Sequence, residues 1–157
     1  MKSLRELYRV GRGPSSSHTI GPQVAAGDFR LAHGAGAARF RATLYGSLAA
    51  TGKGHLTDRV IAQVFAPLPV EFEWRPGEVL PEHPNGLRFA AFDATGGELA
   101  TQVYYSIGGG AIKLEGVPVA ATEVYEFDRL ARIVAWCDET GKTIRDLVFE
   151  REGVDTE

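Results

Sequence analysis

Residues 38–45 alternate without a break. Ala38, Phe40, Ala42 and Leu44 fall on one side, and Arg39, Arg41, Thr43 and Tyr45 on the other. A period of two with one apolar side is a half-buried strand, which needs strands beside it and a layer over its apolar face. The rest of the chain supplies both. Upstream, a helix reaching about His33 is expected, with Ile20, Val24, Gly27 and Leu31 on one face, Ala25, Phe29 and Ala32 widening it, and Gly34 and Gly36 ending it. Downstream, a glycine-bearing loop over residues 46–55 leads to a helix capped by Thr57 and carrying Val60, Ile61, Val64, Phe65 and Leu68. Val70, Phe72 and Trp74 then suggest a short strand. Residues 87–92 and 99–106 flank the turn Asp93-Ala94-Thr95-Gly96-Gly97 as a hairpin, and a further strand is expected over residues 111–114. Phe127, Leu130, Ala131, Ile133, Val134 and Cys137 share an apolar helix face, and Thr143 with Asp146 forms a capping box that opens a last helix. Strict strand–helix alternation is absent, so the expected fold is a single α+β domain: a mixed, mostly antiparallel sheet with helices packed on it.

Composition narrows the function. At 157 residues, 44% apolar and 24% charged, the chain has a globular composition and enough length to bury a core without covalent staples. Its single cysteine, Cys137, forbids an internal disulfide and any thiolate-held metal or cluster built by this chain alone. A net charge of −3 draws it to neither nucleic acid nor an acidic membrane surface. Its apolar runs fall short of a membrane span, and the charged start Met1-Lys2-Ser3-Leu4-Arg5-Glu6 lacks a secretory apolar stretch. A cytoplasmic domain acting on small molecules or on another protein is expected.

Three segments could carry chemistry. In Ser15-Ser16-Ser17-His18-Thr19, four hydroxyls and an imidazole gather at the start of a helix. Free N–H groups and the positive dipole end can seat a carboxylate or phosphate there, and the histidine can act as acid or base near neutral pH. The same run also reads as a serine-rich cap with an exposed histidine. Gly52-Lys53-Gly54-His55 places a cation and a second histidine on a loop between strand and helix; it also reads as a plain connection. Ser106-Ile107-Gly108-Gly109-Gly110 breaks a strand, as a bend or as backbone pressed against a ligand. His33 and His83 are expected at the surface, Arg39 and Arg41 on a solvated face, and Cys137 in the core. No glycine run follows a strand and opens a helix in the way nucleotide loops do, and no nucleophile elbow surrounds the serines.

Taken together, Gly13-Pro14-Ser15-Ser16-Ser17-His18-Thr19-Ile20-Gly21-Pro22, then Tyr45-Gly46-Ser47-Leu48-Ala49-Ala50-Thr51-Gly52-Lys53-Gly54-His55 with Thr57-Asp58, then Ser106-Ile107-Gly108-Gly109-Gly110 resemble the β chain, or β domain, of iron–sulfur-dependent L-serine dehydratases. The resemblance implies a β-type domain over residues 1–152, with residues 153–157 as a frayed tail. It also implies a fold similar to the small-molecule-binding regulatory domain of some D-3-phosphoglycerate dehydrogenases. Departures are Arg12, where an apolar residue is common, Leu56 in place of a small residue, and Phe65-Ala66-Pro67-Leu68-Pro69 without the usual glycines.

What the resemblance implies is specific. Such enzymes convert L-serine to pyruvate and ammonia without pyridoxal phosphate, using a [4Fe-4S] cluster held by a cysteine-rich α partner. The lone Cys137 fits that division of labour. His18 and His55 are implied as the catalytic residues. Ser15, Ser16, Ser17 and Thr19 are implied to seat the substrate carboxylate, and Lys53 to add positive potential. A homodimer of β chains or an α2β2 assembly is expected. The rival reading is a free-standing small-anion-binding or regulatory module, which would use the serine-rich turn and have no need of His55.

Overall fold

The strand read over residues 38–45 is β1 (Arg39–Tyr45). It pairs in parallel with β2 (Val70–Arg75) and antiparallel with β3 (Gly86–Phe92). The sheet continues antiparallel through β4 (Glu98–Gly108) to β5 (Ala111–Leu114), giving the order β2-β1-β3-β4-β5. Three of the four pairings are antiparallel, so the sheet is mixed and mostly antiparallel as expected. These elements belong to a computed structural model that describes residues 3–6, 10–118 and 123–154. The chain divides into two units, Val10–Val119 and a second made of Met1–Arg9 with Ala120–Glu157.

In the first unit, α1 (Gly21–His33) and α3 (Thr57–Phe65) pack on one face of the sheet. Between that face and the helices lie Phe29, Phe40, Phe65 and Phe89, all fully buried. Phe40 and Phe65 stack at 4.1 Å, and Phe65 meets Phe89 edge-on at 5.3 Å. The face of α1 differs from the expected one. Its buried residues are Gly21, Pro22, Ala25, Ala26 and Phe29, while Val24 and Leu31 are exposed. Small residues let the helix approach closely and leave Phe29 to fill the centre, so hydrophobicity alone picked the wrong stripe.

The segment expected as a loop over residues 46–55 contains a short helix, α2 (Gly46–Thr51), and only residues 52–56 turn. Its glycines sit at its two ends, where they start and stop a helix instead of opening a loop. Thr57 is the first residue of α3, not its cap. The capping position is Leu56, at φ 59° in the left-handed region. In this conformation a β-carbon crowds the following carbonyl, so Leu56 sits there at a cost. The turn at residues 93–97 forms as expected, with Asp93 Oδ1 accepting from the N–H groups of Thr95 and Gly97.

The second unit holds a 3-10 turn at Leu4–Glu6, α4 (Leu130–Thr140) and α5 (Ile144–Glu152). Residues 155–157 of the expected tail lie outside the described residues. The Thr143–Asp146 capping box is present. The Glu152 carboxylate accepts from the Ser3 hydroxyl, the Leu4 N–H and the Tyr125 hydroxyl, which ties both ends of this unit together. The apolar period builds α4, but no α4 residue is buried, and Cys137 is half-exposed instead of in the core. Its neighbour α5 is short and largely charged, so it covers little of that stripe. No helix of the described residues is long and apolar enough to cross a membrane.

Replacing Leu56 with asparagine, which tolerates the left-handed region, is expected to stabilise the protein by about 1 kcal/mol. Urea unfolding followed by circular dichroism checks this; a destabilised variant would show that packing of the Leu56 side chain outweighs the backbone.

Candidate active site

The serine-rich run folds as one π-helical turn, Ser16–Ile20, that flows into α1. Ser15 stands before it in an extended conformation and caps it, its Oγ accepting the N–H of His18 at 3.1 Å. The Ser15 carbonyl accepts from both Thr19 and Ile20, and the Gly21 N–H reaches back five residues to Ser16. The next donor in this register would be residue 22, which is proline and has no N–H. Residue 22 would serve the Ser17 carbonyl in the five-residue register and the His18 carbonyl in the four-residue register of an α-helix. Pro22 therefore removes a helical donor at the point where the five-residue register passes into the four-residue one, and the Ser17 and His18 carbonyls there both take side-chain donors.

The donors are hydroxyls from the two other motifs. Ser106 Oγ donates to the Ser17 carbonyl at 2.7 Å, and Thr57 Oγ1 donates to the His18 carbonyl at 2.5 Å. Thr19 returns the bond, its Oγ1 donating to the His55 carbonyl at 2.8 Å. All three hydroxyl residues are fully buried. Ser106 fits because α1 begins with glycine: a β-carbon on Gly21 would lie 2.1 Å from Ser106 Oγ. Ser106 is itself held by Asn85, whose carbonyl accepts the Ser106 N–H. Gly108, Gly109 and Gly110 all have positive φ and form the tight turn from β4 into β5, so the glycine run acts as a bend here.

This brings the imidazoles together, with the His18 and His55 rings 4.9 Å apart between centroids. His55 Nδ1 lies 3.0 Å from the Thr51 carbonyl at the end of α2. A carbonyl only accepts, so Nδ1 carries the proton and the Nε2 of neutral His55 keeps its lone pair. His18 is held at both nitrogens by hydroxyls, Nδ1 by Ser17 Oγ at 2.9 Å and Nε2 by Ser47 Oγ at 3.0 Å. Burial lowers the His18 pKa below its ordinary 6.5, and the neighbouring His55 charge lowers it further against an opposing bond to the Ser47 backbone. His18 is therefore neutral at pH 7.

Of the residues singled out in sequence, Ser15, Ser17, His18, Thr19 and His55 converge. Ser16 is exposed on the outer side of the turn. Thr19 is buried, and its hydroxyl bonds the Ser15 N–H and the His55 carbonyl. The Lys53 ammonium lies over the Trp74 ring, 5.4 Å from its centroid. Asp58 accepts the N–H of Arg59 at the start of α3. His33 rests on Phe29, and half-buried His83 accepts the Asn85 N–H. Ser47, Thr57 and Ser106 have roles that sequence reasoning missed. Reading residues 46–51 as loop hid Ser47 in the first turn of a helix, and reading Thr57 as a cap hid its long-range partner. A polar hollow of about 430 Å³ lined by Arg41, Thr43, Glu73, Arg75 and Arg88, among others, shares none of these residues.

Two imidazoles 4.9 Å apart, one of them held by hydroxyls at both nitrogens, are groups able to take up and give protons near neutral pH. A family model described as "Serine dehydratase beta chain" matches residues 3–68 and 63–116, and the chain belongs to that family. Among its relatives, the L-serine dehydratase of Mycobacterium tuberculosis is 36% identical over 152 residues, covering 72% of this chain and 33% of the relative. L-serine dehydratase 1 of Escherichia coli is 33% identical over 198 residues, covering 97% of this chain and 43% of the relative. The L-serine dehydratase of Streptomyces coelicolor is 32% identical, with coverage of 96% and 43%. The chain thus spans less than half the length of these curated relatives.

Because its native pKa is depressed, His18 binds fewer protons in the folded than in the unfolded chain. It should contribute stability that is present above pH 6.5 and lost as the pH falls through the lower native value. In a proton-resonance titration His18 should titrate below 6.5, and His55→Ala should raise it only part of the way, since burial is the larger cause. A His18 that titrates at or above 6.5 would contradict this geometry.

Proposed function

We propose that this chain supplies the acid–base half of the active site of an L-serine dehydratase, acting with a cysteine-rich α partner that completes it. The observation that carries this is the His18–His55 pair, 4.9 Å apart and set beside the Ser15–Ser17 turn, in a chain of the serine dehydratase β family. The names of the relatives support serine as substrate, and the larger part of their length lies outside the matched region, which supports a second component. The residues of this chain do not fit a [4Fe-4S] cluster: Cys137 is the only thiol, and among the described residues no group of three or more histidines, cysteines and carboxylates could hold a metal. The cluster and its ligands are assigned to the partner, and a cytoplasmic setting goes with this reading.

The elimination breaks the α C–H bond, forms a carbon–carbon double bond and releases the β-hydroxyl as water. The aminoacrylate then tautomerises and hydrolyses to pyruvate and ammonia. Ser15 and Ser17, with the N–H groups at the start of the helix that have no intrahelical acceptor, seat the carboxylate, and the exposed Ser16 stands outside that seat. His55 handles the proton at Nε2, because its Nδ1 is fixed on the Thr51 carbonyl. Neutral His18 holds the hydroxyls of Ser17 and Ser47 in register on either side of its ring. Lys53 contributes positive potential from the rim, and Thr19 secures the turn from beneath.

The test is pyruvate formation at saturating serine by the chain reconstituted with its α partner, with iron content checked for each variant. His18→Ala and His55→Ala should fold normally and lower kcat by roughly 10²-fold or more. His33→Ala, on the helix face beside Phe29, should leave turnover nearly unchanged. Near-full turnover in both site variants would refute the assignment.

A further inference from the structure

We propose that Thr57 is a positioning residue for the histidine pair, holding the His18 segment against His55 through its hydroxyl. The inference rests on the reading of these histidines as the proton-handling groups, and it adds a residue that touches neither substrate nor imidazole nitrogen. Thr57 lies two residues after His55 and bonds the carbonyl of His18; Thr19 lies one residue after His18 and bonds the carbonyl of His55. Each segment that carries one histidine therefore grips the backbone of the other. The bonds are reciprocal, and both donor threonines are fully buried.

The His18 carbonyl would take its α-helical hydrogen bond from residue 22, and Pro22 has none to give. Without the Thr57 hydroxyl, this carbonyl must find another donor, and the simplest way is for the turn to lift away from α3. That movement separates the rings and disturbs the Ser17–His18–Ser47 chain of hydroxyls. The Leu56 backbone, held in the left-handed region between His55 and Thr57, aims the threonine inward while the histidine stays half-exposed. The Ser15 hydroxyl caps the start of the turn through the His18 N–H, a bond that does not involve the Thr57 hydroxyl. A loss of Thr57 should therefore fall on kcat more than on KM.

Two substitutions separate the hydroxyl from the shape of the side chain. Thr57→Val keeps the shape and removes the donor, while Thr57→Ser keeps the donor and removes a methyl group. In the reconstituted enzyme Thr57→Val is expected to lower kcat about 10- to 100-fold with KM little changed, because a proton-transfer group displaced by an ångström loses on that scale. Thr57→Ser should stay within about 3-fold of the parent, on the same scale. In the isolated full chain, Thr57→Val should raise the His18 titration toward the ordinary histidine value as His55 withdraws, and Thr57→Ser should leave it in place. If Thr57→Val does not fold by circular dichroism, Thr57→Ala takes its place under the same criteria. Parent-like turnover and titration in the variant lacking the donor would overturn the proposal, as would equal losses in the serine variant. Should the parent enzyme itself form no pyruvate from serine, the serine reading fails, while the titration comparison still decides whether Thr57 sets the histidine pair.

Discussion

The site is organised where the serine-rich turn passes into α1 at Pro22. Pro22 cannot donate to either of the carbonyls that precede it by four and five residues, and those belong to Ser17 and His18. A buried carbonyl left without a donor costs on the order of 1–3 kcal/mol, so the turn is under pressure to find partners outside its own helix. It finds Ser106 from β4 and Thr57 from the start of α3. Segments far apart in the chain are thereby fixed to the same two peptide groups, and the first segment's own Thr19 adds the return bond to His55. The position of each imidazole follows from this backbone lattice.

The sheet provides the platform that makes such bonds possible. Ser106 lies in β4 at the point where β4 leaves its regular pairing with β5, and Asn85, just before β3, grips it on the other side. α2 and α3 form the crossover between the parallel strands β1 and β2, which brings Ser47, Thr51, His55 and Thr57 to one end of the sheet. The core of stacked phenylalanines holds α1 and α3 in place beneath. Electrostatics follow from the same arrangement. Two imidazoles at close range cannot both charge cheaply, so burial and proximity keep His18 neutral while the Thr51 carbonyl orients His55 with a free Nε2.

Much of this was legible in the sequence, and the failures share a cause. The strands at residues 38–45, 87–92 and 99–106 announce themselves by alternation and turn residues, which are local signals. The motif residues Ser15, Ser17, His18 and His55 were visible as chemistry at element ends. The buried face of α1 departs from its hydrophobic period because Gly21 and Ala26 bury by letting backbones approach, which no such period reports. Cys137 was misplaced because an amphipathic stripe says only that a partner is wanted, not that it is present. Ser47, Thr57 and Ser106 act through contacts spanning 29, 39 and 89 residues, and a one-dimensional reading has no access to such pairs. Pro22 was the one local clue: a proline directly after a polar turn implies carbonyls in search of donors.

In the proposed enzyme this chain is one part of an active site whose other part carries the cluster. The most direct measurement is iron content and pyruvate formation after anaerobic reconstitution with iron and sulfide, for the chain alone and for the chain with its cysteine-rich α partner. The account predicts no cluster and no pyruvate from the chain alone, and both from the pair. A stoichiometric cluster on the isolated chain, or serine turnover without the partner, would contradict it.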